Sequence, residues 1–311
     1  MQGKARSAWW RGLACALALL VAWAPAAQAQ RGKDAPDDSG VEASMLVTGK
    51  VTIRADGTVG EWSIDQREAL PAAVVNVIDA AAPGWRFEPI LLDGKPVAAR
   101  ATMSLRLVAE PEGDRRFRVV IRHAYFGRDA LAAVGRLRER TSRAEEDEGS
   151  EWLLPLRLTP PPYPEAAARS GVQGTVYLVL LVDRKGSVRD SIAEQVNLRV
   201  WSSMRELERL RKMLGLAAVE ASRRWRFQPP TRGEHADAEQ WTVLVPVEFR
   251  LMGDQGPEYG KWQVYVPGPR TRAPWIIEGM DDIDLVPDTL VAGGVYQAGM
   301  ARRMLGQLQG N

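Results

Sequence analysis

The chain has 311 residues, with 41 Lys and Arg against 39 Asp and Glu, two His and one Cys. That length suits two ordinary domains. The charge balance lacks the basic excess that marks nucleic-acid binding, and a single cysteine excludes an intrachain disulfide.

The first segment reads as a leader. Lys4, Arg6 and Arg11 precede the apolar run Leu13–Ala29, which ends in Ala27-Gln28-Ala29, an A-x-A cleavage pattern. Residues 1–29 are therefore expected to be a signal peptide, cleaved before Gln30. The rival reading is an uncleaved N-terminal anchor. The run is shorter than the roughly 20 apolar residues that span a bilayer and contains Pro25. Cys15 lies within it, so cleavage leaves no thiol, and 38 basic residues against 39 acidic ones. Residues 30–42 are polar with Pro and Gly, which predicts a disordered arm.

A first unit is expected over 43–126. Apolar and polar residues alternate on both sides of Asp56-Gly57, a hairpin signal. Pro71 suits a first helical turn, and Val74, Ile78, Ala81 and Trp85 repeat at helical spacing up to Pro83-Gly84. After "WRFEP" (Trp85, Arg86, Phe87, Glu88, Pro89), Ala101, Met103, Leu105 and Leu107 alternate with polar residues, as in a half-buried strand. "FRVVI", Phe117–Ile121, reads as an extra strand closing the unit. Residues 127–154 form a charged, partly helical linker, in which Glu145–Gly149 reads as a solvated charge run.

A second unit is expected over 155–252. Tyr163-Pro164 opens a short helix, and Gly171 lies just past its end. Gly174 begins an apolar strand that turns at Lys185-Gly186. Val176–Val182 is apolar at every position, which predicts burial on both faces. Ser203 and Glu206 make a capping box. Leu207, Leu210, Leu214, Ala218, Ala221 and Trp225 keep helical spacing into "WRFQP" (Trp225, Arg226, Phe227, Gln228, Pro229). A last strand carries Trp241, Thr242, Val243, Leu244, Val245, Pro246 and Val247. Residues 253–311 are read as another extra strand, Trp262–Val266, and a Pro/Gly-rich tail extended along a surface.

Trp-Arg-Phe-x-Pro recurs 140 positions apart within one order of elements: strand, turn, strand, helix, motif, loop, strand. That order indicates an internal repeat. Helical spacing runs straight into each Trp, so Trp and Phe are expected in the core, with Arg outward and Pro stopping the helix.

The second unit resembles the C-terminal domain family of TonB. The resemblance rests on Tyr163-Pro164, Ala167, Gly171, Gly174, Val176, Asp183, Gly186, Trp225-Arg226-Phe227, Pro229 and Phe249, and covers about residues 155–252. The first unit looks like a reduced copy that keeps Gly49, Gly57, Trp85-Arg86-Phe87 and Pro89 and lacks the Tyr-Pro helix. The resemblance implies an α+β fold in which each unit packs a small antiparallel sheet on a helix. It also implies a periplasmic location, or an inner-membrane anchor facing the periplasm if the leader is kept. The implied task is to bind an extended peptide of an outer-membrane TonB-dependent transporter, which adds as a strand beside the last strand. Inner-membrane motor proteins are further partners if the leader is uncleaved. The long Pro/Lys-rich spacer of the family is absent, and the helix before Trp225 is lengthened by "WSSMRELERLRKM".

On this reading the partner-binding residues are Tyr163, Pro164 and the edge Trp241–Val247. Pro246 has no N–H to give, so it belongs on a sheet edge. With Leu251 opposite Trp262, the extra strand would cover the later half of that edge and leave Trp241 to Val245 free. Such an edge also pairs with a second copy, giving a homodimer. His123 and His235 lack a second ligand at metal spacing, and no nucleophile or phosphate-loop motif occurs. No catalytic residue, metal, cofactor or nucleic acid is therefore expected. The alternatives are a periplasmic adaptor or self-associating module without energy transduction, and an enzyme or ligand binder on the same scaffold.

Overall fold

A computed structural model describes residues 40–113, 116–132, 149–254, 256–276 and 286–309. The expected leader, nearly all of the expected arm and residues 133–148 of the expected linker lie outside them.

In the first half, β1 (Glu42–Ile53) and β2 (Val59–Ile64) pair around the Asp56-Gly57 turn. Glu42, placed in the arm by sequence, is already strand. Helix α1 (Ala72–Ala81) follows and buries Val74, Ile78 and Ala81, one stripe at helical spacing. A small hairpin of β3 (Ile90–Leu92) and β4 (Lys95–Val97) leads to β5 (Ala99–Pro111), antiparallel to β1 along ten register pairs. The strand expected from "FRVVI" is β6 (Phe117–Gly127), hairpin-paired with β5.

The linker contributes β7 (Leu131–Ala132) and the start of β8 (Leu154–Arg157). Short helix α2 (Glu165–Arg169), β9 (Gly174–Asp183) and β10 (Val188–Leu198) come next. Helix α3 (Met204–Ser222) begins at Ser203, whose side chain accepts the Glu206 N–H. Then come β11 (Arg226–Gln228) and β12 (Gln240–Phe249). β9 lies between β10 and β12, as β1 lies between β2 and β5. The fold is strand-rich, with antiparallel sheets and few helices.

One core lies under α1 and contains Trp85 and Phe87; another lies under α3 and contains Trp225 and Phe227. A third, smaller core joins Tyr125 of β6 to Val179 of β9 and Leu244 of β12. This explains the unbroken apolar run on β9. Val176, Leu178, Leu180 and Val182 face the core under α3, while Val179 faces the small core.

The two motifs are held alike. The Phe87 N–H donates to the Gly57 carbonyl (2.9 Å) and the Phe227 N–H to the Gly186 carbonyl (2.8 Å). Both glycines have positive φ, and a Cβ would come within 2.1 Å of the Phe87 oxygen and 1.7 Å of the Phe227 oxygen. Only glycine suits such a contact. Arg86 and Arg226 point outward, each donating to the carbonyl of its own Trp. Pro89 is exposed and Pro229 half-buried, both just past the motif.

The tail overturns an expectation. β13 (Gln263–Tyr265) pairs with β1, Glu42 opposite Tyr265 and Ser44 opposite Gln263, and not with β12. The cause is aromatic burial. Tyr259 and Trp262 pack against the first half's core, and the Tyr259 hydroxyl meets the backbone of Thr48, which draws this strand away from β12. The chain then crosses β10, where Val266 and Leu198 exchange two hydrogen bonds (2.8 and 3.1 Å) and Thr271 donates to Glu194 (2.7 Å). The tail does not simply run along a surface. It supplies β14 (Gly294–Gln297), buried at all four positions.

Candidate strand-docking edge

β12 pairs with β9 over its whole length, from Gln240 opposite Asp183 to Phe249 opposite Gly174. Its other side is the edge singled out from sequence. Alternation sorts its residues between two cores: Trp241, Val243 and Val245 face α3, and Leu244 faces the small core. Thr242 and Val247 are half-buried, Pro246 is buried, and the Trp241 indole N–H donates to the His235 carbonyl (2.9 Å).

That side carries β14. Val243 lies opposite Gln297 and Leu244 opposite Tyr296. The Ala298 N–H donates to the Thr242 carbonyl (3.0 Å), and the Gly293 N–H to the Pro246 carbonyl (3.2 Å). The stretch Trp241–Val245, expected to be free, is therefore where the tail adds. No described strand pairs with Val247–Phe249 on this side. The covered and open halves are the reverse of the sequence expectation, because β13 is held on β1 and β14 adds on the other half of the edge. β14 is itself flanked by β7, with Gly294 opposite Ala132 and Val295 opposite Leu131. A strand on β12 thus occupies a slot one strand wide.

Three side chains of β14 have distinct surroundings. Val295 is fully buried in the core under α3. Tyr296 stands edge-on to Tyr125 with ring centres 5.4 Å apart, in the small core. Burial pushes both phenols well above the usual tyrosine range. Gln297 is buried, and its Oε1 accepts the N–H of buried Leu153 (2.8 Å).

Tyr163 and Pro164 lie at the other end of β12. The Tyr163 ring is edge-on to Phe249 at 5.5 Å, its hydroxyl donates to the Val172 carbonyl, and Pro164 precedes α2. Burial raises the Tyr163 pKa. The structure does not bring Tyr163 to the slot. Gly171 takes positive φ after α2, and Gly174 opens β9.

At the open end, Glu248 and Arg199 pair at 2.8 Å, both mostly buried, beside a cleft of about 400 Å³ between the two sheets. Arg106, Tyr177, Asn197 and Tyr265 also line it. Among the described residues no group of three or more His, Cys, Asp or Glu is placed to hold a metal ion, and no helix is long and apolar enough to cross a membrane.

Gly294–Gln297 and Leu153 were missed in the sequence. A signal was present in "GGVYQAG", four side chains bounded by glycines, but its composition reads as a loop.

No family model and no solved structure matches the chain. Among curated proteins it is similar to Protein TonB of Xanthomonas campestris pv. campestris strain B100, 39% identical over 95 residues, which is 30% of this chain and 36% of that protein. It is also similar to Protein tonB2 of Pseudomonas aeruginosa, 38% identical over 91 residues, 29% of this chain and 28% of that protein. The chain thus spans about a third of the length of the curated relatives it matches. The likeness supports a TonB-family relationship for that part of the chain.

Proposed function

We propose that this is a TonB-like protein of the periplasm that binds an extended segment of an outer-membrane transporter by strand addition on β12, in TonB-dependent transport. The observation that carries the reading is β14. It is an extended segment from some fifty residues downstream, taken up antiparallel on the edge that the TonB resemblance singles out. Strand edges recruit such segments through unpaired N–H and C=O groups. We read 43–126 as a degenerate copy of 155–252. The equivalent strand pairings and the shared Gly-to-Phe contacts in the two halves support that reading.

A photo-crosslinking residue at Thr242 of the full chain in living cells tests the proposal. The expected product is an adduct with the periplasmic N-terminal segment of a TonB-dependent transporter. Adducts with other proteins alone, or with the tail alone, would overturn it.

The occupied edge favours one second reading, a periplasmic adaptor that transmits no force. The two differ at the N-terminus. A mature chain starting at Gln30 would leave no anchor for the inner-membrane motor, and mass spectrometry of the purified protein reads this directly. A homodimer through this edge would need the same opening of the slot.

A further inference from the structure

We infer that Gly293–Ala298 is an exchangeable resident of the β12 slot, and that its side chains specify the partner: an extended peptide with a small residue, an aliphatic residue, an aromatic residue and a hydrogen-bond-accepting side chain at four successive positions. This rests on the reading of β12 as the docking edge and adds the chemistry of what docks there.

The ladder that holds the resident is short. Two register pairs and two flanking hydrogen bonds join β14 to β12 and two register pairs join it to β7, against ten register pairs between β12 and β9. The register ends at Leu244 opposite Tyr296; beyond it Pro246 has no N–H to give, and its carbonyl accepts the Gly293 N–H. A peptide that replaces the resident regains the same backbone bonds, which are blind to sequence. Selection therefore falls to the side chains.

Each position makes its own demand. A Cβ at Gly294 would come within 2.7 Å of both the Ala130 Cβ and the Tyr296 ring, so the first residue must be small. Val295 fills a site with no solvent exposure in the core under α3, which a polar residue would enter unpaired. Tyr296 meets Tyr125 edge to face, the favoured geometry for an aromatic pair. Gln297 answers the Leu153 N–H, which no solvent reaches and which an apolar replacement would leave unsatisfied. Gly293 and Gly299 take positive φ values that turn the tail into and out of the slot. A peptide arriving from outside does not need them.

The test uses the full chain with Cys15→Ser, Thr242→Cys and Ala298→Cys. These two positions are joined by a backbone hydrogen bond, so their Cα separation suits a disulfide. The probe is a fluorescein-labelled peptide with the sequence of residues 292–299, followed by anisotropy. A second protein, Ala298→Pro in the otherwise unchanged chain, removes the N–H given to Thr242 and loosens the resident. Should that variant fail to fold, Gln297→Leu replaces it.

The expected result is binding to the loosened variant and to the reduced cysteine protein, with at least a tenfold loss on oxidation and recovery on reduction. Probe peptides carrying Gln297→Leu or Tyr296→Ala should bind at least tenfold more weakly than the parent. Equal binding by oxidised and reduced protein would place the site elsewhere and overturn the inference. So would equal binding of all three peptides, or no binding to any loosened protein. Capture of a transporter in cells without this selectivity defeats only the inference. Selectivity without transporter capture defeats only the functional reading.

Discussion

The two halves of the molecule solve one local problem in two ways. In the second half, the Trp225 indole N–H donates to the Thr159 carbonyl (2.8 Å), and Phe227 pairs with Pro155 of β8. Both partners lie in the segment that leads into the unit. In the first half, the Trp85 indole donates to the Leu308 carbonyl (2.9 Å), Phe87 bridges Met304, and the Arg86 carbonyl accepts the Leu305 N–H (2.7 Å). Here the partners come from the far end of the chain. The motif that closes each helix onto its sheet leaves backbone and indole groups that must be satisfied. The second half meets this need from its own lead-in. Among the described residues the first half shows no such lead-in, and the tail supplies these partners, so the described core is completed by the segment Met304–Leu308.

The sharpest way to break this comparison is at the tryptophans. Trp85→Ala and Trp225→Ala each remove a fully buried indole, and each should cost about 3–5 kcal/mol in chemical denaturation. Because the tail ties the halves together, both should lower a single transition. Two separated transitions would show that the halves are independent.

A smaller and more selective effect is expected from truncation after Met300. Leaving the Trp85 N–H buried without a partner costs about 1–3 kcal/mol, and the contacts of Met304 and Leu308 with the first core are lost as well. Hydrogen exchange should quicken at Arg86–Glu88 and Phe126–Arg128 while Arg226–Gln228 stays protected. Equal loss at both motifs would mean that the tail acts globally and does not serve the first motif in particular.

The smallest effect concerns the layer between the halves. Burial pushes the Tyr177 hydroxyl up to about 12, against about 10 in an unfolded chain. The folded state therefore holds this proton more tightly. Its contribution to stability is whole below about pH 10 and is lost as pH rises towards 12. Burial shifts Tyr125 and Tyr296 the same way. Stability should fall from about pH 10 upward, and less steeply in Tyr177→Phe. An unchanged slope in that variant would remove Tyr177 from the account.

Much of each half was legible in the sequence, because the signals are local. Val74, Ile78 and Ala81 repeat at the helical period, and α1 buries those three. Ser203 and Glu206 announced the start of α3. Asp56-Gly57 and Lys185-Gly186 marked the two hairpins. The candidate edge was legible as a strand but not in its occupancy. Trp262–Val266 was expected beside β12 because hairpin neighbours are the common case. The aromatic pull of Tyr259 and Trp262 onto the other half outweighed that preference. Gly294–Gln297 was not legible as a strand, since the four residues Val295–Ala298 between glycines carry too little periodicity to read.

The sequence by itself determined the helices, the hairpins, the two Trp-Arg-Phe joints and the resemblance to TonB. Each of these depends on side chains a few positions apart. Which strand fills which edge was decided only by the tertiary structure. Every strand edge offers the same N–H and C=O groups, so backbone chemistry does not choose among them. The choice falls to buried side chains that meet across more than a hundred residues, such as Gln297 with Leu153 and Trp85 with Leu308.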